Sequence, residues 1–379
     1  AMPWSEGPFL RFSRLTKLAE SKGLDGIIIS GKKEIYYFTG FLSGRLILPT
    51  YLFYRVGKEP ILLTGATDRA LAEQSFGGEI VTYDNYRLDS RMVAYPGFVA
   101  NEAKTLIKEY MSNAEKIGAD SWNLPHSLFL SMKGVLNKFR IIDISEDILY
   151  MRTVKDPDEI ELIKTSCALN DHGYALAKVL TVPGKREVDI YSEVHQELCK
   201  KVGTFQYSAG DYVSGERSLY IGGPPTDKVL KRGETFIIDL WVIFREYWSD
   251  TCRTFVVGGE PTDKQLKIHS VVRKALETGM NMLRPGVSGS EIYKAIYRTF
   301  KDAGYGDFFP HHAGHGIGLD GQEPPFFIPA STDVLKPNMT VTLEPGLYVP
   351  EIKGGIRLEK NFLVTNEGPV ELTKFPLDL

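Results

Sequence analysis

The sequence predicts an α/β domain over residues 1–150, followed by an α+β domain over residues 151–379. Length is the first observation, because 379 residues exceed the usual size of a single hydrophobic core. The second is a change of pattern: short apolar runs alternate with helical segments in the first half, whereas the second half is richer in strands. The third is the segment VKDPDEIELIK, which predicts a new helix with Asp156 as its N-cap and Pro157 in its first turn. We therefore place the domain boundary near residue 150.

Six short apolar runs in the first half predict strands. Between them lie three segments with helical patterns: LTKLAESKG, ATDRALAEQ and NEAKTLIKEYMSNAEK. This alternation is typical of an α/β domain. The predicted strands cover residues 25–30, 51–56, 60–65, 79–83, 116–120 and 140–145.

Composition narrows the possible functions. A hydrophobic content of 43% and a charged content of 25% are typical of a soluble globular protein. The net charge of -3, without a basic stripe, gives no reason to expect a nucleic acid or membrane partner. The three cysteines are odd in number and form no CxxC pair, and the sequence contains neither an export signal nor an apolar run of membrane-spanning length. We therefore expect a cytoplasmic protein with reduced thiols.

The second half combines helices with strand-rich sequence. Over residues 234–243, alternation places four apolar side chains on one face of a strand and Asp239 on the other. The apolar face consists of Phe236, Ile238, Leu240 and Val242. The predicted helices cover residues 158–180, 186–202, 262–283 and 288–303.

A second aspartate follows Asp239 in the next strand. If the chain reverses around Phe244 and Arg245, Asp250 faces Asp239 directly. Two buried carboxylates repel each other unless a cation lies between them. The alternative is that one aspartate is exposed at the end of its strand. The register is itself open at this point, because the predicted turn contains neither Gly nor Asn.

Residues 310–325, PHHAGHGIGLDGQEPP, contain three of the seven histidines. A glycine at every second position, from Gly314 to Gly318, opposes a helix. One interpretation is an extended segment, in which missing Cβ atoms allow another chain segment to approach closely and a histidine is presented beside it. The alternative is an ordinary polar loop.

Two further acids lie in similar settings. Glu344 ends an apolar strand before a Pro-Gly turn, and alternation places Arg357 and Glu359 on one face of GGIRLEKNFLVT. Together with the two aspartates and one histidine, these acids form a ligand set suited to two hard or borderline divalent cations.

The order of these residues resembles that of the pita-bread metallopeptidases: prolidase, aminopeptidase P, methionine aminopeptidase and their relative creatinase. The resemblance rests on an Asp followed eleven residues later by a second Asp, then GHGIGL, then Glu-Pro-Gly, then Gly-Ile-Arg-Leu-Glu. It covers residues of about 150–379, and the first half resembles the amino-terminal domain of creatinase and prolidase. The implied architecture is a creatinase/prolidase-like α/β domain followed by an α+β pita-bread catalytic domain.

The resemblance also implies roles for individual residues. Asp239 is expected to chelate one metal ion, Asp250 and Glu359 to bridge two, and His315 and Glu344 to bind the other. The two divalent ions would be Mn, Co, Zn or Fe. Glu344 is also expected to be the catalytic proton shuttle.

Outside the ligand set, the resemblance places His311 at the substrate near the scissile amide, as a catalytic and substrate-binding residue. It makes Arg357 the residue that orients a bridging carboxylate. We assign no family role to His312 and expect it to be a local hydrogen-bonding residue.

Two positions depart from the family pattern. Gln322 and Gly222 occupy positions where the peptidases usually carry histidines that help bind substrate, and we expect these two residues to leave additional room there. Gln322 can still donate a hydrogen bond but supplies neither charge nor a proton.

The resemblance implies metal-assisted hydrolysis of Xaa-Pro peptides by an enzyme of the prolidase or aminopeptidase P type, assembled as a homodimer. One alternative is a relative that acts on a small C–N or C–S substrate, as creatinase, ectoine hydrolase and a sulfoniopropionate lyase do. A second alternative is an inactive binding protein.

Overall fold

The computed structural model describes residues 4–44 and 48–379. The chain divides into two compact units, residues 1–149 and 150–379. Within the described residues, no helix combines the length and apolar character needed to cross a bilayer.

The first unit is built on a six-stranded sheet with strand order β4-β3-β2-β1-β5-β6. All six predicted strands are confirmed: β1 (Gly26–Ile29), β2 (Tyr51–Arg55), β3 (Ile61–Gly65), β4 (Glu79–Tyr83), β5 (Lys116–Ala119) and β6 (Arg140–Asp143). β2 pairs antiparallel with both β1 and β3, and the other pairs are parallel. The helices are α1 (Glu6–Ser21), α2 (Lys32–Thr39), α3 (Arg69–Ser75), α4 (Ala100–Tyr110), α5 (His126–Val135) and α6 (Ser145–Met151).

The second unit contains three sheets, with orders β7-β8-β9, β11-β10-β12-β15-β16 and β13-β14. Its helices, all four of them predicted, are α7 (Pro157–Leu180), α8 (Glu187–Val202), α9 (Asp263–Met280) and α10 (Gly289–Asp302). Its strands are β7 (Tyr207–Ser214), β8 (Thr235–Phe244), β9 (Tyr247–Val256), β10 (His315–Gly316), β11 (Glu323–Phe326), β12 (Thr340–Leu343), β13 (Gly346–Val349), β14 (Gly354–Arg357), β15 (Lys360–Thr365) and β16 (Gly368–Glu371).

The start of α7 confirms the predicted cap. Pro157 is the first helical residue, and Asp156 and Glu159 form a capping box, in which the Asp156 amide donates to the Glu159 carboxylate at 2.8 Å. The Glu159 side chain therefore satisfies the backbone amide of the N-cap residue.

Two helix pairs bury the outer faces of these sheets. The apolar face of β8 packs in one core with residues of α7 and α8, as the alternation predicts. A second core joins α9 and α10 to β12, β13, β14 and β15. Because alternate residues of a strand point to opposite faces, the inner faces are left to the polar residues described below.

Candidate metal centre

The β8–β9 hairpin supplies two carboxylates, in a register that differs from the expected one. Asp250 lies opposite Trp241, and Asp239 lies opposite Cys252, so the direct pairing of the two aspartates is wrong. The turn consists of Arg245 and Glu246, at φ of 46° and 72°, rather than Phe244 and Arg245. A two-residue hairpin turn of this kind requires positive φ at both positions, which the residue types do not reveal.

The wrong register does not change which face of the hairpin carries the two aspartates. A shift of two residues keeps every side chain on its original face, whereas a shift of one would have reversed it. Asp239 and Asp250 are therefore diagonal neighbours on one face. They are 5% and 6% exposed, so the alternative of an aspartate exposed at a strand end is also wrong.

β10 presents His315 from an extended segment, as one of the two interpretations predicted. A Cβ on Gly314 would overlap the carbonyl oxygen of Thr342, and one on Gly316 would overlap that of Pro324. The glycines therefore allow β11 and β12 to approach β10 closely. The His315 side chain is fully buried, and its Nδ1 donates to the Gly316 carbonyl at 2.8 Å, which leaves Nε2 directed at the acids.

Four side chains converge on one point: ligand atoms of Asp250, His315, Glu344 and Glu359 all lie within 4.8 Å of one another. His315 Nε2 is 3.1 Å from Glu344 Oε2 and 3.4 Å from Asp250 Oδ2. That nitrogen, Asp250 Oδ1 and both oxygens of Glu359 are nevertheless buried without a hydrogen-bond partner. Buried polar atoms are rarely left unpaired, so this cluster is suited to hold a cation.

The electrostatics of the cluster reflect its burial. Burial and then the neighbouring carboxylates raise the pKa of Asp250 and Glu359 well above the usual range. Burial opposes protonation of His315, but the nearby Asp250 and Glu344 carboxylates raise its pKa to about 10. At Glu344, burial favours the protonated form, but the surrounding histidines outweigh this effect and lower the pKa. His315 makes the largest contribution among them.

Asp239 stands apart from these four residues. Its Oδ2 accepts from Arg357 Nη2 at 2.9 Å and from Nε at 3.2 Å, and its Oδ1 accepts from the Trp241 indole at 2.8 Å. Arg357 was expected to orient a bridging carboxylate, but its guanidinium instead binds Asp239, the residue expected to chelate a single ion. The cause is the packing of β14 beside β8, which connects residues 118 positions apart.

A cavity of about 390 Å³ opens onto the cluster. His315 and Glu359 are fully buried below it. The residues that line the cavity are Asp211, Ile221, Asp239, Trp241, Trp248, Asp250, His311, His312, Gly321, Gln322, Glu344 and Arg357.

His311 reaches this cavity as expected, but both of its ring nitrogens have partners. Nδ1 bonds the His312 carbonyl at 2.7 Å, and Nε2 bonds the Tyr348 hydroxyl at 2.8 Å. Tyr348 in turn accepts from Arg357 Nη1 at 2.8 Å, so its proton is available to His311. Burial lowers the His311 pKa to about 4, which keeps the imidazole neutral.

Gly222 does not leave open space, contrary to the expectation. A Cβ at this position would overlap the carboxylate of Asp211, which lines the cavity and bonds Arg357 Nη2 at 3.3 Å and the Gly223 amide at 2.9 Å. Burial and then Asp239 raise the Asp211 pKa to about 6, against the opposing effect of Arg357. A carboxylate thus occupies the space beside Gly222.

Sequence reasoning missed Asp211. It lies opposite Asp239 across the β7–β8 pair. The sequence feature that could have revealed Asp211 is its place in YSAGDYVS, a segment that can form a strand and pair with the strand of Asp239.

Gln322 lies on a short loop at the mouth of the cavity, and its side chain is exposed. Arg152 Nη2 anchors the loop to Asp320 at 2.7 Å, and Lys155 Nζ anchors it to Glu323 at 3.1 Å. A larger side chain at position 322 can therefore extend into solvent without clashing with buried residues.

Comparison with known proteins yields two family matches. Residues 161–366 match the model of metallopeptidase family M24, and residues 11–154 match that of the creatinase/prolidase N-terminal domain. An Xaa-Pro dipeptidase of Pyrococcus furiosus is 30% identical over 97% of this chain and 99% of the relative. A putative dipeptidase of Bacillus subtilis is 29% identical, with coverage of 97% and 99%.

Solved structures agree in fold. The Xaa-Pro dipeptidase from Bacillus anthracis superposes with a TM-score of 0.85 at 27% identity, covering 98% of this chain and 100% of that one. For the X-Pro aminopeptidase from Thermotoga maritima, the TM-score is 0.83 at 26% identity, with coverage of 97% and 99%. The similarity in each case spans both units of the chain.

Proposed function

Because the chain belongs to metallopeptidase family M24, we propose that it is a dimetal hydrolase that cleaves Xaa-Pro peptides. The observation that carries this proposal is the buried cluster of Asp250, His315, Glu344 and Glu359, whose unpaired atoms face one another below an open cavity. Full-length relatives named Xaa-Pro dipeptidase support the choice of substrate.

The residues present fit a pair of divalent cations. Asp250, His315, Glu344 and Glu359 would supply four of the ligands, and Asp239, on the same face of the hairpin, would complete the set. Carboxylates and one imidazole suit Mn, Co, Zn or Fe. The orientation of His315, fixed through Nδ1, is the usual arrangement of a metal-binding histidine.

When bound, such ions supply Lewis acidity and lower the pKa of a bound water. The protein's own residues do the rest. Glu344 takes the proton of the attacking water and returns it to the leaving nitrogen. Arg357 fixes Asp239 through two hydrogen bonds, and the exposed amide of Gln322 can donate to the substrate carbonyl. Trp241 and Trp248 supply apolar surface to the cavity wall beside the cluster.

The test of this function is a substrate panel with the Mn²⁺-, Co²⁺- and Zn²⁺-reconstituted protein. We expect about two ions per chain and cleavage of Xaa-Pro dipeptides and of longer peptides with proline at the second position. Matched Xaa-Ala peptides serve as controls. A protein that binds no metal under these conditions would rule out the enzyme.

Compartment and assembly are further proposals. The three free cysteines, two of them buried, support a reducing, cytoplasmic location. The homodimer stays a prediction from the family resemblance.

Metal binding is expected to stabilise the protein in a pH-dependent way. Asp250, Glu359 and His315 all have raised pKa values, so the folded metal-free protein binds more protons than the unfolded chain. Burial lowers the pKa of His311 to about 4, which opposes this effect below about pH 6.5. The free energy of unfolding should therefore fall mainly as the pH rises from about 6.5, the pKa of an unfolded histidine, to about 10, the pKa of folded His315.

Metal ions compete with those protons, so the stabilisation by metal should grow over the same pH interval. It should reach about 2.7 kcal/mol when the free ion is at 100 times its Kd. Thermal melts at several pH values, in chelator and in Mn²⁺, measure both effects. A metal-free Tm that rises with pH would contradict the assignment.

Gln322→His is expected to increase kcat/KM on Xaa-Pro peptides by about tenfold, which corresponds to about 1.4 kcal/mol. A protonated imidazole can donate a stronger hydrogen bond to the developing oxyanion than the neutral amide of Gln322 can. The exposed loop accepts the new side chain, and Gln322→Asn is the control that should gain nothing. A wild type already efficient on these peptides, and impaired by the histidine, would show that glutamine is no handicap.

A further inference from the structure

The side chain of His312 lies beside the residue to which we assign proton transfer. Its Nε2 is 3.6 Å from Glu344 Oε1, and the other oxygen of that carboxylate, Oε2, is 3.1 Å from His315 Nε2. The Glu344 carboxylate is therefore approached by a different imidazole at each oxygen. His312 also lines the cavity, and its side chain is 26% exposed.

The backbone at His312 is fixed by its neighbour. His311 Nδ1 donates to the His312 carbonyl at 2.7 Å, and the other nitrogen of His311 bonds Tyr348. The His312 ring lies 5.8 Å from the His311 ring and 5.5 Å from the His315 ring. The imidazole thus projects toward Glu344 from a rigid segment.

The surroundings of the ring determine which nitrogen carries the proton. His312 Nδ1 is buried and has no hydrogen-bond partner, whereas Nε2 faces a carboxylate oxygen. An unpaired buried N–H is costly, and a carboxylate requires a donor. The neutral tautomer with its proton on Nε2 satisfies both conditions.

We propose that His312 is a positioning residue for Glu344. Its Nε2–H faces Glu344 Oε1 across 3.6 Å, within ion-pair distance but longer than a hydrogen bond, and this attraction restrains rotation of the carboxylate so that Oε2 stays turned toward His315. This inference rests on the proposed function, because it concerns the residue assigned as proton shuttle. Polar groups just outside a metal site commonly orient the groups that bind metal and do chemistry.

Three substitutions of His312, to Gln, Asn and Leu, test the proposal. Gln and Asn carry the same amide group on side chains of different length. The Gln side chain can place an N–H where Nε2 stands, the Asn side chain is one carbon shorter, and Leu has no donor. We expect His312→Gln to keep kcat within about fivefold, and His312→Asn and His312→Leu to lose about 10- to 100-fold in kcat with little change in KM.

A second readout is the affinity of the metal-free protein for Mn²⁺, measured by calorimetry. The Mn²⁺ affinity should follow the order of kcat, so that the Gln variant binds Mn²⁺ more tightly than the Asn and Leu variants do. His172→Asn is the matched control, because His172 Nε2 bonds Glu197 Oε1 at 2.8 Å in a similar pair outside the site. Neither kcat nor Mn²⁺ affinity should change in this control.

Several outcomes would overturn the proposal. Equal kcat and equal Mn²⁺ affinity in all three variants would show that His312 has no such role. A raised KM with unchanged kcat would show a direct substrate contact instead, and a Gln variant as impaired as Leu would show that the donor is irrelevant. A wild type inactive on Xaa-Pro peptides would contradict the proposed function, while the calorimetric order would still decide the inference.

Discussion

Asp250→Asn is expected to abolish activity and binuclear metal binding together. Asp250 lies at the centre of the cluster, with Oδ2 3.4 Å from His315 Nε2 and Oδ1 unpaired. Changes to the outer partners of a metal site already cost about 10- to 100-fold, so removing a shared ligand should lower kcat/KM by more than about 100-fold. Elemental analysis and kinetics on the same preparation measure the two losses.

The same substitution should stabilise the metal-free protein. The raised Asp250 pKa means that its ionised form is unfavourable in the folded state, and an amide of the same shape removes that charge. We therefore expect a higher Tm in chelator and a smaller rise on adding Mn²⁺. Asp227→Asn, at an exposed position of the same unit, is the control that should change neither quantity. Full metal content and activity in Asp250→Asn would refute the cluster.

The ligand types could be predicted from the sequence because alternation depends only on local order. Asp239 interrupts an apolar strand, and the glycines around His315 indicate a close backbone approach, so both side chains could be placed on inner faces. The register could not be predicted, because it depends on positive φ at Arg245 and Glu246, where neither residue type favours that conformation. Both aspartates were still placed on the correct face of the hairpin, because the predicted register differs from the observed one by two residues.

Contacts between segments that are distant in the chain could not be predicted from the sequence. The bonds from Arg357 to Asp239 and Asp211 join residues more than a hundred positions apart and exist only because β14 packs beside β8. The role of Gly222 was misread for the same reason, since the Asp211 carboxylate that fills its space comes from another strand.

Short helices were missed for a local reason. α2 spans eight residues and α6 seven, and neither segment shows the clear 3.6-residue period by which ATDRALAEQ, the segment of the equally short α3, was recognised. α5 is ten residues long, but its sequence, HSLFLSMKGV, mixes apolar and small residues without a polar stripe. The strands of the same unit were recognised because continuous apolar runs between turn residues give a stronger signal.

Glu344→Gln is expected to separate chemistry from metal binding, unlike Asp250→Asn. The amide retains an oxygen that can serve as a ligand, so excess Mn²⁺ should restore most of the metal content. It cannot accept a proton, however, and general acid–base catalysis contributes about 100- to 10,000-fold. At saturating Mn²⁺, kcat should therefore stay lower by a factor in that range while KM changes little.

The comparison that decides this assignment is kcat against metal occupancy in the two variants. In Asp250→Asn, activity and metal content should be lost in parallel. In Glu344→Gln, activity should stay low after occupancy recovers, because the chain then lacks the group that carries the proton from water to the leaving nitrogen. If kcat of Glu344→Gln instead recovers along with the metal, Glu344 acts only as a ligand. The proton shuttle would then have to be another group on the cavity wall, and the orienting contact from His312 would serve metal binding rather than proton transfer.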